Sequence, residues 1–338
     1  MEKYFIADYG EYGREPIIRQ MSDGTIICLS LTGGETEPRP ENYVAITRSY
    51  DRGKTWSKVE KLFSHESFGV WCTEIFTDCE VPFAAVHTYA LSKPHAQRYM
   101  ELNSYFSYTS DNGKTWSVPS SIPGCAGRCS FRQGFRLSNG DIFFPVYWDS
   151  ITGNLAFTVD GKKSDSEKLL FRCGAVISSD NGKTWAEYGY IEYDDQNLWE
   201  PNAVELEDRH IIMYCRSSKG YLVASESFDY GRTWMKPYTT DIPNADTKVT
   251  VLKRGGKIYM INNFNPVPEW LQRNHLWIAE STDGKTFTKI ANIENDDEWV
   301  FYPHAFFDEN ERILYVAYEN FRQHFLKKFT FEELGITD

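Results

Sequence analysis

The 338-residue chain carries 48 acidic side chains against 36 Lys and Arg, a formal charge of −12 and an isoelectric point near 5.2. A nucleic-acid or anionic-membrane surface is excluded on that balance, because both need a basic face to release counterions; an anionic ligand must meet a local arginine cluster instead. Aromatic residues make up 16% of the chain, and its 23 Gly and 14 Pro are spread evenly, which suits many short strands joined by turns.

In chain order, Met1 to Gly10 lacks the basic and apolar regions of a signal peptide, and no apolar run approaches the roughly 20 residues of a membrane span. As written, the protein is expected to be cytoplasmic, or secreted or periplasmic if an upstream export signal was removed. Gly13-Arg14-Glu15-Pro16 leads into a strand-turn-strand segment, Ile17 to Leu31 around Asp23-Gly24. Ser49-Tyr-Asp51-Arg-Gly53-Lys-Thr55-Trp56 then opens a series. It recurs from Thr109 to Trp116, from Ser178 to Trp185 and from Ser227 to Trp234, and one residue shorter from Ser281 to Phe287. Further strand-turn-strand segments fill the intervals: Gly134 to Tyr147, Val204 to Cys215 and Ala305 to Tyr318. Thr330 to Leu334 reads as a short helix or tail.

The repeated octet describes a stapled hairpin turn. Its Asp can accept hydrogen bonds from amides just ahead, its Gly permits a positive φ, and its terminal aromatic can pack between sheets. These Asp residues are therefore read as structural. Successive boxes start at Ser49, Thr109, Ser178, Ser227 and Ser281, and each interval holds one four-stranded blade. Five boxes and a terminal segment without one predict an all-β, six-bladed propeller of four-stranded antiparallel blades, a single domain over 1–338 whose last blade joins strands from both chain ends.

The seven cysteines, Cys28, Cys72, Cys79, Cys125, Cys129, Cys173 and Cys215, are odd in number and scattered, so reduced thiols are expected. Cys125 and Cys129 are the closest pair, but without a second ligand pair they read as small buried side chains and not as a zinc site. His87, on an apolar strand, reads as a structural histidine. Trp71, Trp148, Trp199 and Trp299 lie outside the boxes and suit either sugar stacking or packing between blades.

The octets resemble the Asp box, or bacterial neuraminidase repeat, of the sialidase superfamily, across nearly the whole chain. That resemblance implies a glycan or glycoconjugate substrate and a site of three arginines holding a carboxylate, a tyrosine nucleophile paired with a glutamate, and an acid/base carboxylate. It places the arginines at Arg14, Arg216 and Arg273, the glutamate at Glu200 in Trp199-Glu200-Pro201-Asn202, and the nucleophile at Tyr302 in Phe301-Tyr302-Pro303-His304. Glu319 is implied as the partner orienting Arg14, and Arg39 and His304 as further substrate contacts. The chain departs from the family in three ways. Glu15 replaces an apolar residue, His304 replaces a small one, and the loop from Leu31 to Asn42 contains no Asp, so Glu37 is taken as the acid/base with Glu35 and Glu41 behind it. The expected activity is a retaining exo-glycosidase releasing a terminal anionic sugar, sialic acid first, with no metal or organic cofactor. The alternatives are a propeller glycosidase acting on a uronic acid or a neutral sugar, or a non-catalytic glycan-binding propeller.

Overall fold

The middle strands of the blades are buried at nearly every position because both of their faces are covered. In the first blade, Ile17, Ile27 and Leu29 pack toward one neighbouring sheet while Ile18, Ile26 and Cys28 pack toward the other. This is the two-residue alternation of a strand, buried on each side. The structure, a computed structural model, describes residues 2–91, 100–149, 158–159, 162–163, 171–193, 196–267 and 272–337.

The first strand, β1 (Glu2–Asp8), belongs to the last blade. The first blade is β2 (Gly13–Gln20), β3 (Ile26–Thr32), β4 (Tyr43–Ser49) and β5 (Glu60–Phe63). The second is β6 (Gly69–Phe76), β7 (Phe83–Leu91), β8 (Met100–Tyr108) and β9 (Ser120–Ser121). In the third, β10 (Ser130–Phe131) and β11 (Phe135–Arg136) form a broken inner strand against β12 (Ile142–Asp149). A small hairpin, β13 (Thr158–Val159) and β14 (Lys162–Lys163), precedes its outer strands β15 (Phe171–Ser178) and β16 (Ala186–Ile191). The fourth is β17 (Trp199–Glu207), β18 (His210–Arg216), β19 (Tyr221–Ser227) and β20 (Tyr238–Pro243). The fifth is β21 (Thr250–Arg254), β22 (Lys257–Asn263), β23 (Leu276–Ser281) and β24 (Thr288–Asn292).

The sixth blade orders its strands β1, β27 (Gln323–Thr330), β26 (Ile313–Glu319) and β25 (Phe301–Asp308), so both chain ends share one sheet. Contacts between the inner strands run around the ring and return from β25 to β2. The fold is thus the six-bladed propeller that the repeats predict. Among the described residues there is no α-helix. Thr330 ends a strand and 331–335 form turns, so of the short helix or tail expected there it is the tail that is found.

Six apolar clusters, one at each seam between blades, hold the ring together. The Asp boxes help to build them. In the box at Thr109, Asp111 Oδ1 accepts from the Thr115 amide at 2.9 Å and Oδ2 from its hydroxyl at 2.6 Å, while Thr109 Oγ1 accepts from the Gly113 amide at 2.8 Å. Gly113 lies at φ 76, and a Cβ there would stand 2.0 Å from Ile27 Cδ1 of the preceding blade, so only glycine fits. Trp116, Trp185 and Trp234 then pack into the seam behind their own blade.

Candidate active site

Three inner strands open with the same backbone device. Glu15, Glu200 and Tyr302 each take a left-handed conformation, at φ 54, 42 and 54, and each directly precedes a proline. The strand register slips at each, between Arg14 and Ile17, Trp199 and Asn202, and Phe301 and His304. A residue before proline is normally extended, and left-handed backbone outside glycine costs on the order of 1–3 kcal/mol, so these are strained points. Such bulges re-aim side chains. Here all three side chains are buried at the propeller axis.

Tyr302 Oη donates to Glu200 Oε1 at 2.6 Å. Arg216 Nη1 donates to both members of the pair, reaching Tyr302 Oη at 2.8 Å and Glu200 Oε2 at 2.8 Å. The Arg14 and Arg273 guanidinium carbons lie 4.7 and 5.3 Å from the Tyr302 ring centroid. Arg14 Nε is held by Glu319 at 2.8 Å, and Glu319 also accepts the Glu15 and Phe321 amides at 3.1 and 3.0 Å. Arg216 Nε donates to Asp246 Oδ1 at 2.6 Å, and Arg273 Nη2 donates to the Asp246 carbonyl at 2.8 Å. Glu37 Oε1 lies 3.4 Å from Arg14 Nη1, and its other oxygen accepts from Trp71 Nε1 at 3.2 Å.

A second tier of charge lies against this pair. Arg132 Nη1 pairs with Glu15, and its Nη2 stands 3.7 Å from Glu200 Oε1. Lys248 Nζ lies 3.5 Å from Glu15 and 5.4 Å from the centre of the Tyr302 ring. Burial works to raise the Glu200 carboxyl, but Arg216 and Arg132 overcome it and hold Glu200 below the usual carboxylate range. The Tyr302 phenol is raised above its ordinary value by burial and then by Glu200, against the pull of Arg216, Arg273 and Arg14. Arg273, deeply buried and then opposed by Arg216 and Arg14, is brought down to about 10.

Chemically this is a protonated phenol poised to lose its proton to an ionised carboxylate, with three guanidinium groups around it. Arg273 Nε is buried and has no hydrogen-bond partner among the described residues. Glu200, Glu319 and Asp246 are each committed to a guanidinium.

The structure brings Arg14, Glu37, Glu200, Arg216, Arg273, Tyr302 and Glu319 into one cluster. It does not bring in Arg39, which is exposed and has no side-chain partner among the described residues. Nor does it present His304 as a sugar contact. His304 is 2% exposed; its Nδ1 faces the Ile18 amide and Arg19 at 3.3 Å, and its Nε2 faces Glu74 at 3.4 Å. Both ring nitrogens are thus spent on protein partners. Glu35 and Glu41 are exposed. A cavity of about 570 Å³ opens at the other mouth of the ring, between the inner hairpins of the third to fifth blades, and none of these residues lines it.

The BNR repeat-like domain model matches residues 84–315, well over half of the sequence. The chain belongs to the BNR repeat-like domain family. The chain is 25% identical over 248 residues to a sialidase of Clostridium perfringens, covering 66% of this chain and 60% of that protein. It is 25% identical over 218 residues to a sialidase of Bacteroides fragilis, covering 56% of this chain and 37% of the other. The matches thus span less than two thirds of these relatives' own length. In fold, the chain superposes on the Hadza microbial sialidase Hz136 with a TM-score of 0.75 at 14% identity, over 96% of this chain and 67% of that one.

This BNR repeat-like chain holds site residues that sequence reasoning missed. Asp246 joins two of the arginines, and Arg132 and Lys248 face Glu15, while Trp71, read from the sequence as a stacking or packing residue, fixes Glu37. Asp246 and Lys248 sit on a connecting segment with no motif. One signal was legible: Glu15-Pro16, Glu200-Pro201 and Tyr302-Pro303 each open an inner strand, so the departure at Glu15 marked a third axial side chain.

Proposed function

We propose that this protein is a retaining exo-glycosidase of the sialidase type that releases a terminal anionic sugar, with sialic acid the first candidate. The observation that carries the reading is the 2.6 Å hydrogen bond from the Tyr302 phenol to Glu200, with Arg216 bridging both. A carboxylate nucleophile would repel an anionic sugar, whereas a neutral phenol can approach it and shed its proton as it attacks. Tyr302 Oη bonds to the anomeric carbon, its proton passes to Glu200, and Glu37 protonates the departing glycosidic oxygen. Water then enters with Glu37 as base, the sugar leaves Tyr302, and Glu200 returns the proton. Arg14, Arg216 and Arg273 hold the sugar carboxylate through charge-assisted hydrogen bonds. The names of the two bacterial relatives support the same class of reaction.

One observation favours a second reading. Asp246 already occupies Arg216 Nε, and Glu37 faces Arg14, so a substrate carboxylate must share these guanidiniums with protein carboxylates. A uronic acid or a neutral sugar would ask less of them. Turnover of a fluorogenic sialoside, measured beside a panel of aryl uronides and neutral glycosides, separates the readings. The first predicts that the sialoside is cleaved fastest. Cleavage of a uronide or neutral glycoside alone establishes the second, and glycan binding with no turnover of any substrate overturns both in favour of a binding protein.

A further inference from the structure

The connection from β9 to β10 carries the chain across the seam between the second and third blades, and both cysteines of the Cys-x3-Cys pair lie on it. The fold supplies the third group that the sequence did not offer. Glu187, on β16 of the third blade, faces Cys125 and Cys129, and one donor atom from each of the three lies within 4.8 Å of the others. Cys125 Sγ donates to Glu187 Oε1 at 3.0 Å, and the Ala126 amide donates to the same oxygen at 2.9 Å. The Gly127 amide lies 3.4 Å from Cys125 Sγ. These backbone groups fix the donors much as outer hydrogen bonds orient metal ligands. Cys129 is wholly buried, and burial pushes its thiol well above the ordinary range.

Glu187 is half-buried, yet among the described residues no lysine, arginine or histidine pairs with it. A carboxylate withdrawn from water without a cation is unfavourable unless something compensates it. Two thiols and a carboxylate whose donor atoms lie within 4.8 Å of one another form the donor set of a divalent, thiophilic ion. In tetrahedral zinc the sulfur and oxygen ligands stand about 3.5–3.8 Å apart, so small side-chain rotations close the site.

We propose that Cys125, Cys129 and Glu187 bind one zinc ion per chain, which clips β16 of the third blade to the connection from the second. Binding exchanges the two thiol protons for the metal, giving a bis-thiolate carboxylate complex and two protons released to solvent. The fourth position falls to water on the open side, where Cys125 and Glu187 are partly exposed. The site is remote in role from Tyr302 and independent of what the propeller cleaves.

The test is a titration of the intact, reduced and metal-stripped protein with Co²⁺ as spectroscopic probe, followed by displacement with Zn²⁺. One equivalent should give thiolate-to-cobalt charge-transfer absorption that Zn²⁺ abolishes, and Zn²⁺ should raise the unfolding temperature by several degrees. Cys125→Ser should remove the charge-transfer band, and Glu187→Gln should weaken affinity about tenfold or more. Cys79→Ser, outside the cluster, should leave both readouts unchanged. Because Cys125 is partly exposed, its variant keeps the test meaningful even if Cys129→Ser fails to fold. No charge-transfer band in the wild type, or a band that survives Cys125→Ser, overturns the proposal.

Discussion

The two ends of this propeller use carboxylates in opposite ways. On the Asp-box face, Asp51, Asp111 and Asp180 lie near the surface and are brought down to about 2 by hydrogen bonds from the hydroxyl and amide of a threonine four residues later. At the axis, Glu200 is buried and held low by guanidiniums of other strands, with its phenol partner 102 residues away. The first kind of carboxylate shapes a turn from within one octet. The second acquires its character only when the ring closes. Low proton affinity alone does not mark function here; the distance along the chain from which the perturbing groups arrive does.

Substitutions at the two ends should therefore separate activity from stability. The largest effect is expected for Tyr302→Phe, which removes one oxygen from the phenol–carboxylate pair. We expect kcat on the best substrate to fall at least about 10³-fold while glycan binding changes little. Steady-state kinetics and calorimetric binding check this, and unchanged turnover would dissolve the distinction between the two ends.

Glu15→Gln probes the second tier of axial charge. It leaves Arg132 and Lys248 buried without their common partner, an arrangement that costs about 3 kcal/mol or more. Urea unfolding measures the loss.

A buried histidine sharpens the contrast through pH. His87 lies between Thr73 Oγ1 at 2.6 Å and Ser104 Oγ at 2.8 Å, and burial brings its imidazole down from 6.5 to about 3. The folded protein keeps it neutral while the unfolded chain protonates below pH 6.5. Its contribution is therefore complete above pH 6.5 and is lost as pH falls toward 3, by about 2 kcal/mol between pH 6.5 and 5. His87→Gln should flatten the pH dependence of stability by that amount. An unaltered slope would contradict the assignment.

The smallest effect is expected in a box. Asp229→Ala removes an acceptor for Ser227, Arg232 and Thr233 and should cost about 1 kcal/mol, with kcat unchanged.

The same contrast explains what was legible in the sequence. The blades could be read because each box is contiguous, and its Asp, Gly and aromatic residue act within eight positions or on the adjoining seam. Arg14, Glu200, Arg216, Arg273, Tyr302 and Glu319 could be placed only through family resemblance, and they meet at the axis. The two-residue offset of His304 from Tyr302 says nothing about direction across a bulge, and here its ring nitrogens face Ile18, Arg19 and Glu74. Asp246 and Lys248 left no trace, since their roles rest on contacts between blades and not on local pattern. Glu187 shows the same limit, for a strand of the third blade completes a pair of cysteines 58 and 62 residues earlier.

The central claim, that Tyr302 is the group that attacks the sugar, can be tested by trapping the covalent intermediate. The protein would be incubated with a fluorinated sialosyl donor, activated at the anomeric carbon and slow to hydrolyse, then digested and analysed by peptide mass spectrometry. The account predicts one glycosyl adduct per chain on the peptide containing Tyr302, absent from Tyr302→Phe. An adduct on another residue, or efficient sialoside turnover by Tyr302→Phe, would contradict it.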